Sequence, residues 1–365
     1  MPRIKSKKVR KITLKSVVLI ALAAVLTGEV LITAQTIYSI KESTRPASLT
    51  LTRIVDANCF TCTTIGSLSD PITSNQNIKV DNLQTLEFSS LDAKALIMKY
   101  SITKIPAVIV TGEFKKDNIV SLWGSMNGRM LQDAVVLEAN PPYIDATSSK
   151  EVGLVSVTYL VDPSCTVCFN ISSVTALFEQ QGMKVANTTT LDYSSSEGQK
   201  DIADYNVQRI PAVIYSNDVN SYPQVHQVIS SLNATERNGS FAFHAINPPY
   251  LDLAQNKVVG LVSAVLLNDS ACTNCYDVNQ HLQILQRFGV TTVNITRYDV
   301  NSTEGQGLVT KYNIKEVPTL LISPDVKYYQ SLNTVWSPVG TVESDGWYVF
   351  RNASVMGTYR NITSS

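Results

Sequence analysis

Histidine is scarce in this chain, with three residues in 365, and none of them enters a cysteine pair. His226, His244 and His281 show no ligand spacing among themselves and read as strand surface, strand alternation and an exposed helix face. Tetrahedral zinc wants four ligands, and no such set can be read from the sequence, so no metal is assigned and no cofactor is implied. There is no phosphate-cradling glycine loop, no serine-hydrolase elbow and no carboxylate pair placed for catalysis. Charge is sparse as well, at 16% of residues with equal numbers of each sign. The cations are uneven: the first fifteen residues hold seven of them (Arg3, Lys5, Lys7, Lys8, Arg10, Lys11, Lys15) and no acid. The remainder carries 23 Lys+Arg against 30 Asp+Glu, a net of −7. A mildly acidic body has no electrostatic footprint for nucleic acid, while a 44% hydrophobic content excludes a disordered chain.

Behind the basic head runs an apolar stretch, residues 17–40, with Glu29 as its single charge. As a helix it would measure roughly 36 Å, enough to cross a bilayer, and basic flanks stay on the cytoplasmic side. The expected layout is a cytoplasmic segment at 1–15, a signal-anchor helix at 16–40 and an extracytoplasmic remainder, in a single-pass protein of the cell membrane. A cleaved signal peptide is the alternative, cut somewhere beyond Gly28, for example at Ala34. Glu29 is costly in mid-membrane unless neutral or paired. Asn-x-Ser/Thr occurs at Asn170, Asn187, Asn233, Asn238, Asn268, Asn294, Asn301, Asn352 and Asn361, all beyond the apolar segment, which permits glycosylation.

What the chain does have is six cysteines, all paired at Cys-x-x-Cys spacing: Cys59 with Cys62, Cys165 with Cys168, Cys272 with Cys275. The first members lie 106 and 107 residues apart, a period of whole domains. Asp56, Asp162 and Asp269 each stand three residues before a pair. Downstream, KYSITKIPAVIV, DYNVQRIPAVIY and KYNIKEVPTLLI repeat one pattern, reaching Pro106, Pro211 and Pro318 at 47, 46 and 46 residues from the first cysteine. NPPYID and NPPYLD recur as linkers, and Pro-Pro ends regular structure. Domains are therefore expected at 48–147, 152–254 and 258–365. In the second, a buried strand at 152–161 leads to a helix that starts at the cysteine pair and ends near Gly182. A strand at 183–192, a short helix near 198–205 and the strand after Pro211 complete an α/β unit with a parallel element.

Two cysteines one helical turn apart can close a small disulfide. At a helix start the first would be favoured as thiolate and attack, and the second would resolve. Cys59, Cys165 and Cys272 are the expected nucleophiles; Cys62, Cys168 and Cys275 resolve. A bridge closing so short a loop stabilises little, so redox activity is favoured over a structural role. A two-thiolate Cu(I)-type site remains open, as does a binding or adhesion scaffold with inert disulfides. The preceding Asp is expected to form a turn or cap; raising the thiol pKa or moving protons are its other readings.

A strand, a Cys-x-x-Cys pair and a Tyr-x-(Ile/Val)-x-x-(Ile/Val)-Pro strand entry together resemble the thioredoxin superfamily, three times over residues 48–365. The resemblance implies α/β architecture in three tandem thioredoxin-like domains, which here follow the one N-terminal transmembrane helix expected from the apolar stretch. It implies a cis proline at Pro106, Pro211 and Pro318, packed against each pair. Ile105, Ile210 and Val317 would then present backbone to an extended substrate. The implied activity is that of a protein disulfide oxidoreductase or isomerase, with protein thiols and disulfides and a membrane or soluble redox protein as partners. Several features depart from the family. Asn58, Ser164 and Ala271 stand where it has Trp, and Phe-Thr, Thr-Val and Thr-Asn replace Gly-Pro or Pro-His. The last family helix is expected to give way to strands, read as alternating segments NIVSLWGS with DAVVLEA, VHQVISS with SFAFHAI, and TVWSPVG with GWYVFRN. Trp123, Trp336 and Trp347 fall in those segments as packing residues. Tyr100, Tyr205 and Tyr312 are expected to pack under the Pro loops.

Overall fold

The computed structural model describes residues 42, 44–245 and 247–363. The basic segment and the expected anchor at 16–40 lie outside these residues. Among the described ones no helix is long and apolar enough to cross a membrane. The build is mixed α/β, as in thioredoxin-like folds. By internal packing the chain divides into two compact units, residues 1–152 and 153–365.

The first unit is organised by the strand Ala47–Val55. It pairs in parallel with Ile78–Glu87 and antiparallel with Ala107–Gly112, and Val135–Glu138 and Arg129–Met130 complete the five-stranded sheet. Side chains alternate across a strand, and the sequence uses this to fill both faces. Ala47, Leu49 and Leu51 enter one core with Leu68, Ile72 and Trp123, whereas Ile54 enters the opposite core with Ala93, Tyr100 and Ile105. Ile54 pairs with Ala107. That register brings the loop leaving the central strand, which carries Cys59 and Cys62, beside Pro106.

The second unit contains two further sheets of the same order. One runs Lys184–Asp192, Leu154–Val161, Ala212–Tyr215, Ser240–His244, Thr235–Arg237; the other runs Thr292–Asp299, Val262–Asn268, Thr319–Ile322, Tyr348–Phe350, Gly340–Val342. Leu160 pairs with Ala212 and Leu267 with Thr319, so each cysteine loop again leaves beside the residue that follows a proline. The link between these sheets is packed. Ala245, Tyr250 and Val259 cluster with Phe169 and Tyr328, and the Tyr250 and Tyr328 rings meet edge-on at 6.4 Å. Gly260 makes this possible: at φ +84°, a Cβ there would stand 2.3 Å from the Cβ of Pro248.

The helices Leu91–Tyr100, Ser196–Tyr205 and Thr303–Tyr312 start alike. Ser90, Ser195 and Ser302 each accept a hydrogen bond from the N–H three residues on, at 3.2, 3.0 and 3.0 Å. Tyr100, Tyr205 and Tyr312 end these helices and pack in the clusters that hold Ile105, Ile210 and Val317.

Two expectations are corrected. The first member of each alternating pair is helical, at Val120–Ser125, Pro223–Ser231 and Gln330–Trp336. Ile119 with Trp123, Val225 with Ile229 and Leu332 with Trp336 are buried at i,i+4, a helical spacing that overrides the β-branched content. Trp123 and Trp336 are therefore helix residues, and only Trp347 flanks a strand. Trp123 is buried, with its Nε1–H donated to the carbonyl of Phe114 at 2.6 Å. The second correction concerns where the cysteine-linked helices begin. They start at Ile65, Ser172 and Gln280, after the pairs rather than at them.

Beyond the strands Val135–Glu138, Ser240–His244 and Tyr348–Phe350, a short strand pairs with the residue before Pro106, Pro211 or Pro318. Tyr143–Asp145 pairs with Lys104–Ile105, Tyr250–Asp252 with Arg209–Ile210, and Arg360–Asn361 with Glu316–Val317. Glu151–Val152 and Lys257–Val259 extend the first two of these small sheets.

Candidate functional site

Each site is a loop between the central strand and the next helix. Asp56, Asp162 and Asp269 shape its first turn: their Oδ1 atoms accept from the N–H of Asn58, Ser164 and Ala271 at 2.9, 2.8 and 3.0 Å. Their carbonyls accept from the first cysteine's N–H at 3.2, 3.1 and 3.1 Å. The aspartates therefore act as turn-formers.

All six cysteines are half-buried and joined as Cys59–Cys62, Cys165–Cys168 and Cys272–Cys275. The helix cannot begin at the pair because the next N–H is taken elsewhere. Thr63 donates to the carbonyl of Pro142 at 2.8 Å, Phe169 to Pro249 at 2.7 Å and Tyr276 to Thr358 at 2.8 Å. The first cysteine thus lies 6, 7 and 8 residues ahead of the first helical residue. A helix dipole acts over about one turn, so the late helix starts do not place these sulfurs where the dipole would favour a thiolate.

The peptide bonds Ile105–Pro106, Ile210–Pro211 and Val317–Pro318 are cis, as are Pro141–Pro142 and Pro248–Pro249. In the third site the Cys275 sulfur stands 3.9 Å from the carbonyl oxygen of Val317. In the first, Cys59 and Cys62 pack against the cluster containing Ile105. Sulfur and proline loop are thereby brought together.

The surroundings differ. At the first site Glu151 arrives from the hairpin strand Glu151–Val152. Its Oε1 lies 3.4 Å from the Cys59 sulfur and accepts a hydrogen bond from Thr61. Phe60, between the two cysteines, is 92% exposed. The register equivalent of Glu151 in the second site is Val258, because Glu151 pairs with Ile144 as Val258 pairs with Leu251.

At the third site Asp269 is fully buried and bound by Arg360 at 2.6 Å. Tyr276 donates its hydroxyl proton to the carbonyl of Pro318 at 2.6 Å. With that proton used, the 2.9 Å contact from His281 Nε2 to the same hydroxyl requires the N–H on Nε2. His281 was expected on an exposed helix face and is instead buried, its ring 4.6 Å from that of Phe350. Burial pulls its pKa down to about 4 and pushes that of Tyr276 up. His226 lies on the helix Pro223–Ser231, not a strand, and His244 ends the strand Ser240–His244. A cleft of about 380 Å³ opens beside Cys272 and Cys275, bordered by Asn268, Asp277, Arg297 and Asp299. Backbone N–H groups of Asn301 and Ser270 hold the Asp299 carboxyl down at about 2.

No protein-family model and no curated protein matches the chain. Solved structures do. Human ERp44 matches at 10% identity over 78% of this chain and 80% of that one, with a TM-score of 0.15. A protein disulfide oxidoreductase from Aeropyrum pernix K1 matches at 12% identity over 47% and 77%, with a TM-score of 0.14. The N-terminal domain of alkylhydroperoxide reductase AhpF from Enterococcus faecalis matches at 13% identity over 47% and 84%, with a TM-score of 0.15. Superpositions this weak carry no argument. The functional reading rests on the geometry of the sites.

Proposed function

We propose that this chain is a thiol–disulfide oxidoreductase or isomerase acting on extracytoplasmic proteins, with three thioredoxin-like domains tethered by the segment at 16–40. The observation that carries the reading is the placement of a half-buried disulfide beside a cis-proline loop, seen most directly between Cys275 and the Val317 carbonyl. Ile105, Ile210 and Val317 are themselves fully buried and already paired with Ile144, Leu251 and Arg360, so an extended substrate would reach their backbone only by displacing those strands. Eight of the nine sequon asparagines are exposed, which supports an outward location.

From the oxidised state, a substrate thiolate attacks the first sulfur of a pair. The Cys–Cys bond breaks, the second cysteine leaves as thiolate, and a mixed disulfide joins substrate and protein. A second substrate thiolate then attacks the substrate's sulfur and releases the first cysteine. The substrate gains a disulfide, and the protein pair holds the two electrons as a dithiol. Reduction runs the same steps backwards, and no cofactor is needed.

The test is turnover by the full chain in insulin reduction and in oxidative refolding of a reduced protein. Wild type is expected to turn over, and the combined Cys59→Ser, Cys165→Ser and Cys272→Ser variant to lose all of it. Equal rates for the two chains would overturn the proposal.

A further inference from the structure

The first cysteine pair has a neighbour that the second lacks. The ligating atoms of Cys59, Cys62 and Glu151 all lie within 4.8 Å of one another, and this is the one such group of three found among the described residues. The geometry points to a reduction-gated zinc site formed by Cys59, Cys62 and Glu151, with the fourth position left to water or an incoming thiolate.

The donor set fits zinc in kind and in size. Two thiolates and one carboxylate suit a borderline cation, whereas two thiolates alone satisfy Cu(I). In a tetrahedron with Zn–S near 2.3 Å and Zn–O near 2.1 Å, the S···O edge is about 3.6 Å and the S···S edge about 3.8 Å. The Cys59 sulfur already stands 3.4 Å from Glu151 Oε1. The sulfurs reach their edge once the bond between them is gone. Thr61 holds the carboxylate in place through its hydroxyl, an outer contact of the kind that orients metal ligands.

The chemistry balances with a dithiol as reductant. The dithiol is oxidised to its own disulfide, and the Cys59–Cys62 bond is reduced to two thiols. On ligation these thiols release their protons to solvent. Zinc has no redox chemistry, so occupancy keeps the first pair reduced and withdraws it from exchange, while the second, with Val258 in place of Glu151, stays available. The site requires only that Cys59–Cys62 be reducible, and it stands or falls separately from turnover on protein substrates.

The test uses the full chain, reduced with a phosphine and freed of metal, titrated with Zn²⁺ against a chromogenic chelator. Co²⁺ serves as a spectroscopic substitute that reports thiolate ligation. One tight equivalent per chain is expected when reduced and none when oxidised. Glu151→Gln is expected to weaken it by at least about tenfold, the lower end of what even outer-shell changes cost. Cys165→Ser and Cys272→Ser are expected to leave it unchanged. Val258→Glu, which places a carboxylate in the matching register beside the second pair, is expected to add a second equivalent. Three equal equivalents per reduced chain, none at all, or undiminished affinity in Glu151→Gln would each overturn the assignment.

Discussion

Beside Cys59 and Cys62 the ionisable neighbour is Glu151, an exposed carboxylate delivered by a hairpin, and the intervening Phe60 projects into solvent. Around Cys272 and Cys275 there are buried polar groups as well as those that border the cleft: Asp269 under Arg360, and Tyr276 bonded to both His281 and the Pro318 carbonyl. The backbone of the two loops is nearly the same, from the Asp turn to the N–H captured after the second cysteine. One scaffold therefore presents the same pair of sulfurs in two electrostatic settings. The loop geometry is fixed by backbone hydrogen bonds, and the setting by a handful of side chains from outside the loop.

The largest expected effect that separates the two settings is a histidine-linked pH dependence at the third site, which the first, having no histidine near it, lacks; His244 in the second sheet is also held below its ordinary pKa by burial. The folded state holds His281 near pKa 4, against about 6.5 in the unfolded chain. Between these values the unfolded chain binds the proton more readily. Stability is therefore full above pH 6.5 and is lost as pH falls toward 4, by roughly 3 kcal/mol in total. Chemical denaturation of the full chain across that window should show this decline for the segment around residues 262–363. His281→Phe, which keeps an aromatic ring against Phe350, should flatten it. An unchanged slope in the variant would locate the proton elsewhere.

Next in size is the ion pair. Arg360→Ala leaves the buried Asp269 carboxylate without its cation and is expected to cost about 2 kcal/mol. The smallest effect is expected at the second site, where Asp162 is only half-buried and its Oδ1 bonds are to Ser164 alone. Asp162→Ala removes those turn bonds and should cost about 1 kcal/mol. Equal losses in the two variants, measured by urea denaturation, would remove the distinction between a turn-forming and a charge-paired aspartate.

Much of this scaffold was legible in the sequence because it depends on local signals repeated three times. The strand expected at 152–161 is found at Leu154–Val161, that at 183–192 at Lys184–Asp192, and the helix near 198–205 at Ser196–Tyr205. The Asp turns follow from a residue type with a short-range preference. The features that local sequence does not reveal depend on distant partners. Glu151 meets Cys59 from 92 residues away, and only the pairing of Glu151 with Ile144 places it there. The helices begin late because the carbonyls of Pro142 and Pro249 capture the N–H of Thr63 and Phe169. The repeated Asn-Pro-Pro-Tyr segments read as linkers, whereas in the structure they reach back to the cysteine loops and pair with the strands before Pro106 and Pro211. His281 is expected on an exposed helix face, yet at six residues beyond the second cysteine it occupies the spacing of the core residue Leu68 and is buried.

The central claim, that these pairs are exchange sites and not inert staples, is tested most directly by the redox state of each pair in the full chain. The chain would be equilibrated in glutathione buffers of graded potential and acid-quenched. Its thiols would then be alkylated, and each cysteine peptide quantified by mass spectrometry. Each pair is expected to pass between disulfide and dithiol as a two-electron couple, tenfold in the equilibrium ratio for about 30 mV, with glutathione trapped on Cys59, Cys165 or Cys272 along the way. Pairs that stay bonded across the whole range and never carry glutathione would contradict the account.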